Sequence, residues 1–332
     1  MYRTNAGLII TMKEHILIIG AGAVGQVYAY HLAQAGYHIH FLLKEKYLEE
    51  AQQGFVLYNL RQDKQRQQAI IFNNFSCHTS WQSLANIKLS QVWLCVSSTA
   101  LAAMDLAPMK AAIGDALVVV LQPDPDDVSR VQQTFGKEQV AAGMINMISY
   151  HTPLATEQTA REGIAFWIPP VMPMPVDGEV EGVSALLAVL KKAKISALWQ
   201  KQFAIANAHN TGFLMVFLAA LELSDWQFKQ LSANKALLKT MIAAQQEVFA
   251  ALHAEYGSKA SMVLRQIKPW MLPVILKLAR HVAPLDMETY LQAHFMKVRS
   301  QTLLLLDAYV QRANKSGIAV PNLQGLVDKL DR

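Results

Sequence analysis

Cysteine, charge and long uninterrupted apolar runs are all scarce in this sequence. Only two cysteines, Cys77 and Cys95, occur among 332 residues, and charged residues make up 17% of them. Neither cysteine has a partner at the spacing of a disulfide framework or of a cysteine metal site. We therefore expect a cytoplasmic protein without a disulfide framework.

The net charge of +5 is spread along the chain, and no Lys/Arg block is interleaved with aromatic residues. This pattern argues against a nucleic-acid partner and suits an anionic cofactor or substrate. The most apolar stretch, 203–221, is interrupted by polar residues and a glycine, which favours a buried helix over a membrane span. We expect no membrane partner; a buried helix of this kind fits a domain core or a homodimer interface equally well.

Ten histidines raise the question of a metal site. His38 and His40 alternate on one face of a predicted strand, but no HExxH motif, no carboxylate at ligand spacing and no cysteine accompanies them. We expect this face to pack under a helix and predict no metal. The acidic segment 124–127 predicts a strand-to-helix turn in which Asp126 or Asp127 caps the helix.

Hydrophobic residues make up 52% of the sequence, and its length exceeds that of a usual single domain. Apolar runs typical of strands covered on both faces alternate with helical patterns; they lie at 15–19, 37–43, 92–96, 116–121, 140–145 and 164–168. The polar stretch 52–79 has room for a hairpin, the proline-rich segment 169–175 predicts a stiff extended connection, and no convincing strand follows Ser196. We predict an α/β protein with a Rossmann-type nucleotide-binding domain at 13–195 and an all-α substrate or dimerisation domain at 196–332.

A GxGxxG motif marks the corner between the first strand and the first helix. Its residues are Gly20, Ala21, Gly22, Ala23, Val24 and Gly25. The first glycine permits a tight turn, the second lets a pyrophosphate approach the backbone, and the third allows close packing of helix and strand. The helix N-terminus then offers free N–H groups to the phosphates. The motif predicts a dinucleotide site, the alternative being a glycine-rich turn in an unrelated α/β protein.

The end of the second predicted strand indicates which dinucleotide binds. NAD-binding proteins usually place an acidic residue there, whereas NADP-binding proteins place a basic one for the extra phosphate. Lys44 is the first charged residue after the apolar run 37–43. We therefore predict NADP as the cofactor, the alternative being a solvated lysine at a strand end.

Three segments together resemble ketopantoate reductase, also called 2-dehydropantoate 2-reductase. They are the glycine motif at 20–26, the segment 198–201, which is similar to a W-x-K motif of that family, and the segment 317–322, which is similar to its G-I-x-V-P segment. The resemblance implies an NADPH-dependent reduction of ketopantoate to pantoate in pantothenate biosynthesis. It also implies that Lys201 is the catalytic general acid, which stabilises and protonates the oxygen that develops charge; the alternative is a surface lysine.

Several positions of the family's substrate site differ in this chain. Where the family has asparagines four and eight residues after the lysine, Ile205 and His209 stand here. If Lys201 begins a helix, His209 shares its face and lines the cleft, or else it is a core histidine. The resemblance also implies that Thr289 keeps a substrate-binding hydroxyl and that Gln301 replaces a glutamate, with hydrogen-bonding capacity but no charge.

The cofactor side of the predicted site differs as well. Ser97 begins the segment after the fourth strand, where the family often has a lysine. Gln122 and Pro123 stand where the family has an Asn-Gly pair, and proline supplies neither an amide side chain nor an N–H. We predict that Ser97 and Gln122 contact the cofactor.

Three functions are compatible with this pattern. The first is an NADPH-dependent reductase of a small 2-oxo acid, resembling 2-dehydropantoate 2-reductase. The second is a reductase of the same fold with a different oxo-acid substrate. The third is a catalytically inactive NADP-binding sensor or interaction protein, which the changes at Pro123 and Gln301 favour.

Overall fold

A computed structural model describes residues 14–170, 172–279 and 283–330. Within them, strands occupy β1 (His15–Ile19), β2 (His38–Leu42), β3 (Phe55–Asn59), β4 (Ile70–Phe72), β5 (Ser76–His78), β6 (Leu89–Leu94), β7 (Leu117–Val120), β8 (Val140–Gly143), β9 (Ile148–Thr152), β10 (Gly163–Trp167), β11 (Met174–Gly178) and β12 (Ala197–Trp199).

The helices in the same residues occupy α1 (Ala23–Gln34), α2 (Leu48–Gln52), α3 (Ser98–Ala102), α4 (Ala107–Ile113), α5 (Pro125–Phe135), α6 (Val180–Lys192), α7 (Phe203–Glu222), α8 (Phe228–Ala233), α9 (Lys235–Tyr256), α10 (Met262–Gln266), α11 (Leu272–Ala279), α12 (Met287–Lys297), α13 (Arg299–Lys315) and α14 (Pro321–Leu330). The predicted fold class is confirmed: a sheet domain comes first and a helical region follows.

The larger sheet has the strand order β12-β11-β8-β7-β6-β1-β2-β5. The neighbouring strands β5, β2, β1, β6, β7 and β8 are all parallel to one another. Beyond them, β11 runs antiparallel to β8. Side chains alternate between its two faces: Ile16 and Ile18 of β1 pack into one core, whereas Leu17 and Ile19 pack into the other. This is why β1, like the other central strands, appears in the sequence as a continuous apolar run.

A second sheet, ordered β4-β3-β10-β9, lies between that first core and the helical region. In β10, Ile164 and Phe166 pack toward the nucleotide-binding domain and Ala165 packs toward the helices. The hairpin expected within 52–79 is confirmed by the antiparallel pairing of β3 and β4. The run 164–168 does form a strand, but that strand belongs to this second sheet.

Two strands at one end of the larger sheet lie outside the predicted strand runs. The segment 169–175, expected to be stiff and extended, ends inside β11, which includes Pro175. The expectation of no strand after Ser196 is wrong, because β12 pairs with β11. The larger sheet therefore extends to Trp199. The boundary between domains at 195 and 196 stays a prediction.

Helix α7 is long and apolar enough to cross a membrane by length and composition alone. Most of that apolar window, 61%, is buried, and its side chains join the core of the helical region. A buried core helix accounts for this composition. The exposed apolar side chains instead concentrate on 262–278, where Met262, Val263 and Trp270 are each at least 70% exposed.

Candidate functional site

The glycine loop has the backbone geometry that its three glycines permit. Gly20 adopts a φ of +102°, a conformation that residues with a Cβ rarely adopt. A Cβ on Gly25 would lie 2.1 Å from the Gly20 carbonyl oxygen, so only glycine allows α1 to start this close to the turn. No atom lies within 4 Å of the Cβ position of Gly22, which faces open space.

The remaining residues of the motif complete the turn. Gln26 Nε2 donates to the Ala21 carbonyl oxygen at 2.8 Å, and Ala23 and Val24 begin α1. No acidic side chain occupies the first turn of α1, and Gly22 provides no side-chain cap. The open backbone above Gly22 and the uncapped helix N-terminus fit the pyrophosphate of a dinucleotide.

A cleft of about 340 Å³ opens in front of this loop, and we call it the central cleft. Its walls come from the α1 N-terminus, from the carboxyl ends of β6 and β7, from β9, and from α12 and α13 of the helical region. The lining residues used below are Gly22, Ser97, Ser98, Gln122, Tyr150, His151, His294, Lys297 and Gln301. Ligands bind at this edge of open α/β sheets, where neighbouring strand connections diverge.

Three predicted residues outside the glycine loop meet in the central cleft. Gln122 Nε2 donates to the carbonyl oxygens of Leu94 and Val96, at 3.0 and 2.7 Å. Ser97 caps α3 by accepting the Ala100 N–H at 3.1 Å. The Gln301 Oε1 accepts the Ser98 N–H at 3.1 Å and so joins α13 to the nucleotide-binding domain.

Lys44 lies beside the glycine loop but outside the cleft lining. The Gly20 N–H points to the Leu42 carbonyl oxygen at 3.4 Å, which brings the end of β2 to the loop. Lys44 follows two residues later, is exposed and has no ion-pair partner among the described residues. This position suits a contact with a phosphate on the adenine ribose.

The structure places Lys201 differently from the expected helix start. Lys201 lies in the exposed turn between β12 and α7, and its Nζ lies 5.3 Å from the centre of the Trp199 ring. β12 is the outermost strand, three positions from β7 in the sheet. Lys201 is not among the residues that line the central cleft.

His209 and Thr289 also lie outside the cleft lining. His209 is buried on α7, its Nε2 lies 2.9 Å from Ser258 Oγ, and its ring packs edge-on against Phe249. Burial lowers the pKa of His209, which keeps it neutral. Thr289 lies in the first turn of α12, where its N–H donates to Asp286 Oδ1 at 3.2 Å. The argument that His209 shares a helical face with Lys201 does not hold, because α7 begins at Phe203.

The sequence reasoning missed the tyrosine, histidine and lysine residues of the cleft lining, which are Tyr150, His151, His294 and Lys297. Tyr150 and His151 lie on β9, which no sequence pattern predicted. Lys297 lies four residues before Gln301, which was already a predicted site residue. A charged residue at this helical spacing was the signal in the sequence that could have identified Lys297.

The Tyr150 hydroxyl contacts a buried ion pair between Arg66 and Glu157, which fixes the position of the side chain. The Tyr150 hydroxyl donates to Glu157 Oε1 at 2.6 Å and accepts from Arg66 Nη2 at 2.9 Å. Burial, helped by the hydrogen bond to Glu157, raises the pKa of Tyr150, so this wall of the cleft stays protonated.

Both cleft histidines are neutral near pH 7. Burial, followed by repulsion from the Lys297 ammonium, lowers the pKa of His151 and lowers that of His294 to about 4. The His294 ring stacks on Tyr290 with 5.4 Å between centroids, and Tyr290 packs against Tyr150 at the same separation. The histidines therefore offer neutral hydrogen-bonding atoms rather than charge.

A buried arginine joins the helical region to the loop that follows β7. Arg312 of α13 donates to Asp124 Oδ1 at 2.7 Å and to Asp126 Oδ2 at 2.5 Å. Asp124 caps α5 by accepting the Asp126 N–H, so the expectation that Asp126 or Asp127 is the cap is wrong. Within the described residues, no group of three His, Cys, Asp or Glu side chains is arranged to hold a metal ion.

Comparison with known proteins gives a consistent assignment. The family model of ketopantoate reductase PanE/ApbA matches residues 16–166. No curated protein matches the sequence. A PanE/ApbA family ketopantoate reductase from Ralstonia eutropha JMP134 superposes with a TM-score of 0.71 at 20% identity, covering 96% of this chain and 97% of that one.

Two other solved structures have the same fold. A 2-dehydropantoate 2-reductase from Geobacter metallireducens GS-15 has a TM-score of 0.67 at 14% identity, covering 96% of this chain and 99% of that one. A D-mandelate dehydrogenase, solved with NADH and anilino(oxo)acetate, has a TM-score of 0.68 at 12% identity, covering 95% and 96%. Identities this low establish the fold and leave the substrate open. Residues 16–166 therefore match the ketopantoate reductase PanE/ApbA family model, and the chain shares the fold of solved ketopantoate reductases at identities of 14–20%.

Proposed function

We propose that the protein is an NADPH-dependent reductase of a small 2-oxo acid, resembling 2-dehydropantoate 2-reductase. The observation that carries the proposal is the central cleft, where the open backbone at Gly22 and the polar residues of α12 and α13 face the same space. The cofactor supplies a hydride when bound. The reduction of ketopantoate to pantoate, a step of pantothenate biosynthesis, is the first reaction to test.

Gln122 and Ser97 would line the nicotinamide end of the cofactor site. The Gln122 side-chain amide donates to the Leu94 and Val96 carbonyl oxygens, and these hydrogen bonds fix the carboxyl ends of the central strands. Gln301 bridges to the Ser98 N–H and closes the cleft from the helical side. These bonds organise the pocket walls and leave the space between them for the two reactants.

Lys44 is the proposed contact with the additional phosphate of NADPH. Its exposed ammonium, free of a described ion pair, stands beside the glycine loop. We expect Lys44→Ala to weaken NADPH binding about tenfold while NADH binding changes little, because one charge-assisted contact is lost. A fluorescence titration of both nucleotides checks this, with Lys191→Ala, an exposed lysine on α6, as the matched control. Tighter binding of NADH than of NADPH by the wild-type protein contradicts the assignment.

Lys201 remains the proposed proton donor on the strength of the W-x-K resemblance. Its exposed turn lies at the outer edge of the sheet, so the assignment requires this turn to approach the cleft when the reactants bind. A general acid contributes about a hundredfold or more to the rate. A Lys201→Ala protein that keeps the wild-type rate would remove Lys201 from the mechanism.

The experiment that tests the function follows NADPH consumption with ketopantoate and then with a panel of 2-oxo acids. We expect turnover on at least one of them, with the 2-hydroxy acid as product. The departures at Pro123 and Gln301 support a second candidate, an inactive NADP-binding sensor or interaction protein. Tight NADPH binding without turnover on any substrate favours that candidate.

A further inference from the structure

The central cleft carries an unusual balance of charge. None of the residues that line it is an aspartate or a glutamate, and Lys297 is the only one with a permanent charge. Because no carboxylate in the lining neutralises this ammonium, the cleft presents a net positive field to whatever enters it.

Lys297 ends α12, and Arg299 begins α13 two residues later. Its side chain has no ion pair or hydrogen bond with another described residue, although it lines a cleft. Gln301, four residues on, bonds the Ser98 N–H of the nucleotide-binding domain. Lys297 is exposed, so its ammonium lies on the solvent-accessible side of the helical wall of the cleft, four residues from the point where Gln301 meets the nucleotide-binding domain.

The other titratable groups on this wall leave the charge of Lys297 unopposed. Burial and then repulsion from Lys297 lower the pKa values of His151 and His294. Glu50 and Glu162 oppose this only at His151, and both rings are neutral. Tyr150 keeps its proton and directs it to Glu157, behind the wall. A ligand at this wall meets one cation flanked by neutral polar groups, an arrangement that suits a single carboxylate.

We propose that Lys297 binds the carboxylate of the substrate and so selects 2-oxo acids over uncharged carbonyl compounds. This inference rests on the proposed function and assigns a role to a residue that the W-x-K and glycine motifs leave out. The two lysines then have different roles: Lys201 is the proposed proton donor, and Lys297 binds the carboxylate of the substrate. This assignment also gives the carboxylate a contact in a cleft where Gln122 and Pro123 replace the family's Asn-Gly pair.

The experiment compares Lys297→Met with wild type on a 2-oxo acid and on the methyl ester of the same acid. We expect kcat/KM for the acid to fall about 10- to 100-fold, since a charge-assisted contact is removed, and kcat/KM for the ester to change less than about twofold. Lys297→Arg should recover part of the preference for the acid. Lys191→Met, which replaces an exposed lysine of α6, is the matched control, and an unchanged NADPH affinity and melting temperature of Lys297→Met show that this variant is folded.

A binding measurement separates failure of this inference from failure of the proposed function. Oxamate, an unreactive analogue of a 2-oxo acid, is titrated into the NADP⁺-loaded wild-type and Lys297→Met proteins by calorimetry. Binding weakened about tenfold or more in the variant supports the carboxylate site even if no substrate turns over. Equal oxamate affinity in both proteins, or an equal preference for acid over ester, overturns the inference.

Discussion

Each glycine of the loop is required for a different reason at the scale of the residue. Gly20 needs its positive φ, and Gly25 needs the absence of a Cβ beside the Gly20 carbonyl. Gly22 is unconstrained within the protein itself, because nothing lies near its Cβ position. Under the proposed function, glycine is needed here because the pyrophosphate approaches this backbone.

This difference predicts the effect of Gly22→Val. We expect NADPH affinity to fall at least tenfold, because the new side chain fills the approach to the pyrophosphate, while the melting temperature changes little. Gly325→Ala on α14, where a Cβ also meets nothing within 4 Å, is the control and should leave NADPH binding unchanged. Wild-type NADPH affinity in Gly22→Val would mean that the dinucleotide does not approach this backbone.

Local pattern revealed only some of the cleft residues. Ser97 and Gln122 come directly after apolar strand runs, and this position predicted them as site residues. Gln301 was located by its distance in sequence from the segment 317–322, which is similar to a segment of the ketopantoate reductase family. Lys297 and Tyr150 reach the cleft only through the packing of α12 and β9 onto the first domain. No single segment of the sequence contains that information.

At the scale of the element, β1, β2 and β5 are joined by a row of histidines. His15 Nδ1 lies 2.9 Å from His40 Nε2, and His40 Nδ1 lies 2.9 Å from His78 Nε2. Burial, with repulsion from His38, His78 and His15, lowers the pKa of His40 to about 3. His40 is therefore neutral in the folded protein, and its protonation is unfavourable.

The stability of the protein should therefore fall as the medium becomes acidic. Between the ordinary histidine pKa of 6.5 and about 3, the unfolded chain binds a proton at His40 that the folded chain does not. The free energy of unfolding then decreases with falling pH, by at most about 1.4 kcal/mol per pH unit for this proton. Urea unfolding at a series of pH values measures the slope, and His40→Gln should flatten it. An unchanged slope in the variant contradicts the low pKa.

Among the strands of the larger sheet, the central ones were predictable from the sequence and the two at the β12 end were not. The strands β1, β6, β7 and β8 are buried on both faces, so their composition marks them. By contrast, β12 has three residues, and β11 contains Pro175, which lacks the N–H of a ladder donor. Their pairing depends on the rest of the sheet rather than on their own composition.

At the scale of the whole molecule, the two regions are joined directly beneath the cleft. Arg312 is 3% exposed and bonds Asp124 at the start of α5, and Glu255 Oε2 of α9 lies 3.0 Å from its Nε. Breaking a buried pair from one side leaves an uncompensated charge, which costs about 3–5 kcal/mol. The joint therefore contributes to stability and also fixes the helical wall against the sheet.

We expect Arg312→Met to lower the free energy of unfolding by about 3–5 kcal/mol, because Asp124 loses its partner. The exposed Arg265→Met on α10 is the control and should change it by less than about 0.5 kcal/mol. Chemical denaturation of both variants checks this. A difference of less than about 1 kcal/mol between them would show that the joint adds little to stability. The homodimer stays a prediction, to be measured by sedimentation.

The central claim is that a nicotinamide cofactor and a 2-oxo acid meet in the cleft between the glycine loop and α12–α13. The most direct measurement supplies NADPH deuterated at C4 of the nicotinamide, in each of its two stereochemical forms, together with ketopantoate or another 2-oxo acid that is turned over. The account predicts that one of the two forms delivers its deuterium to C2 of the 2-hydroxy acid, detected by mass spectrometry. Bound NADPH that transfers deuterium to no 2-oxo acid from either form would contradict it.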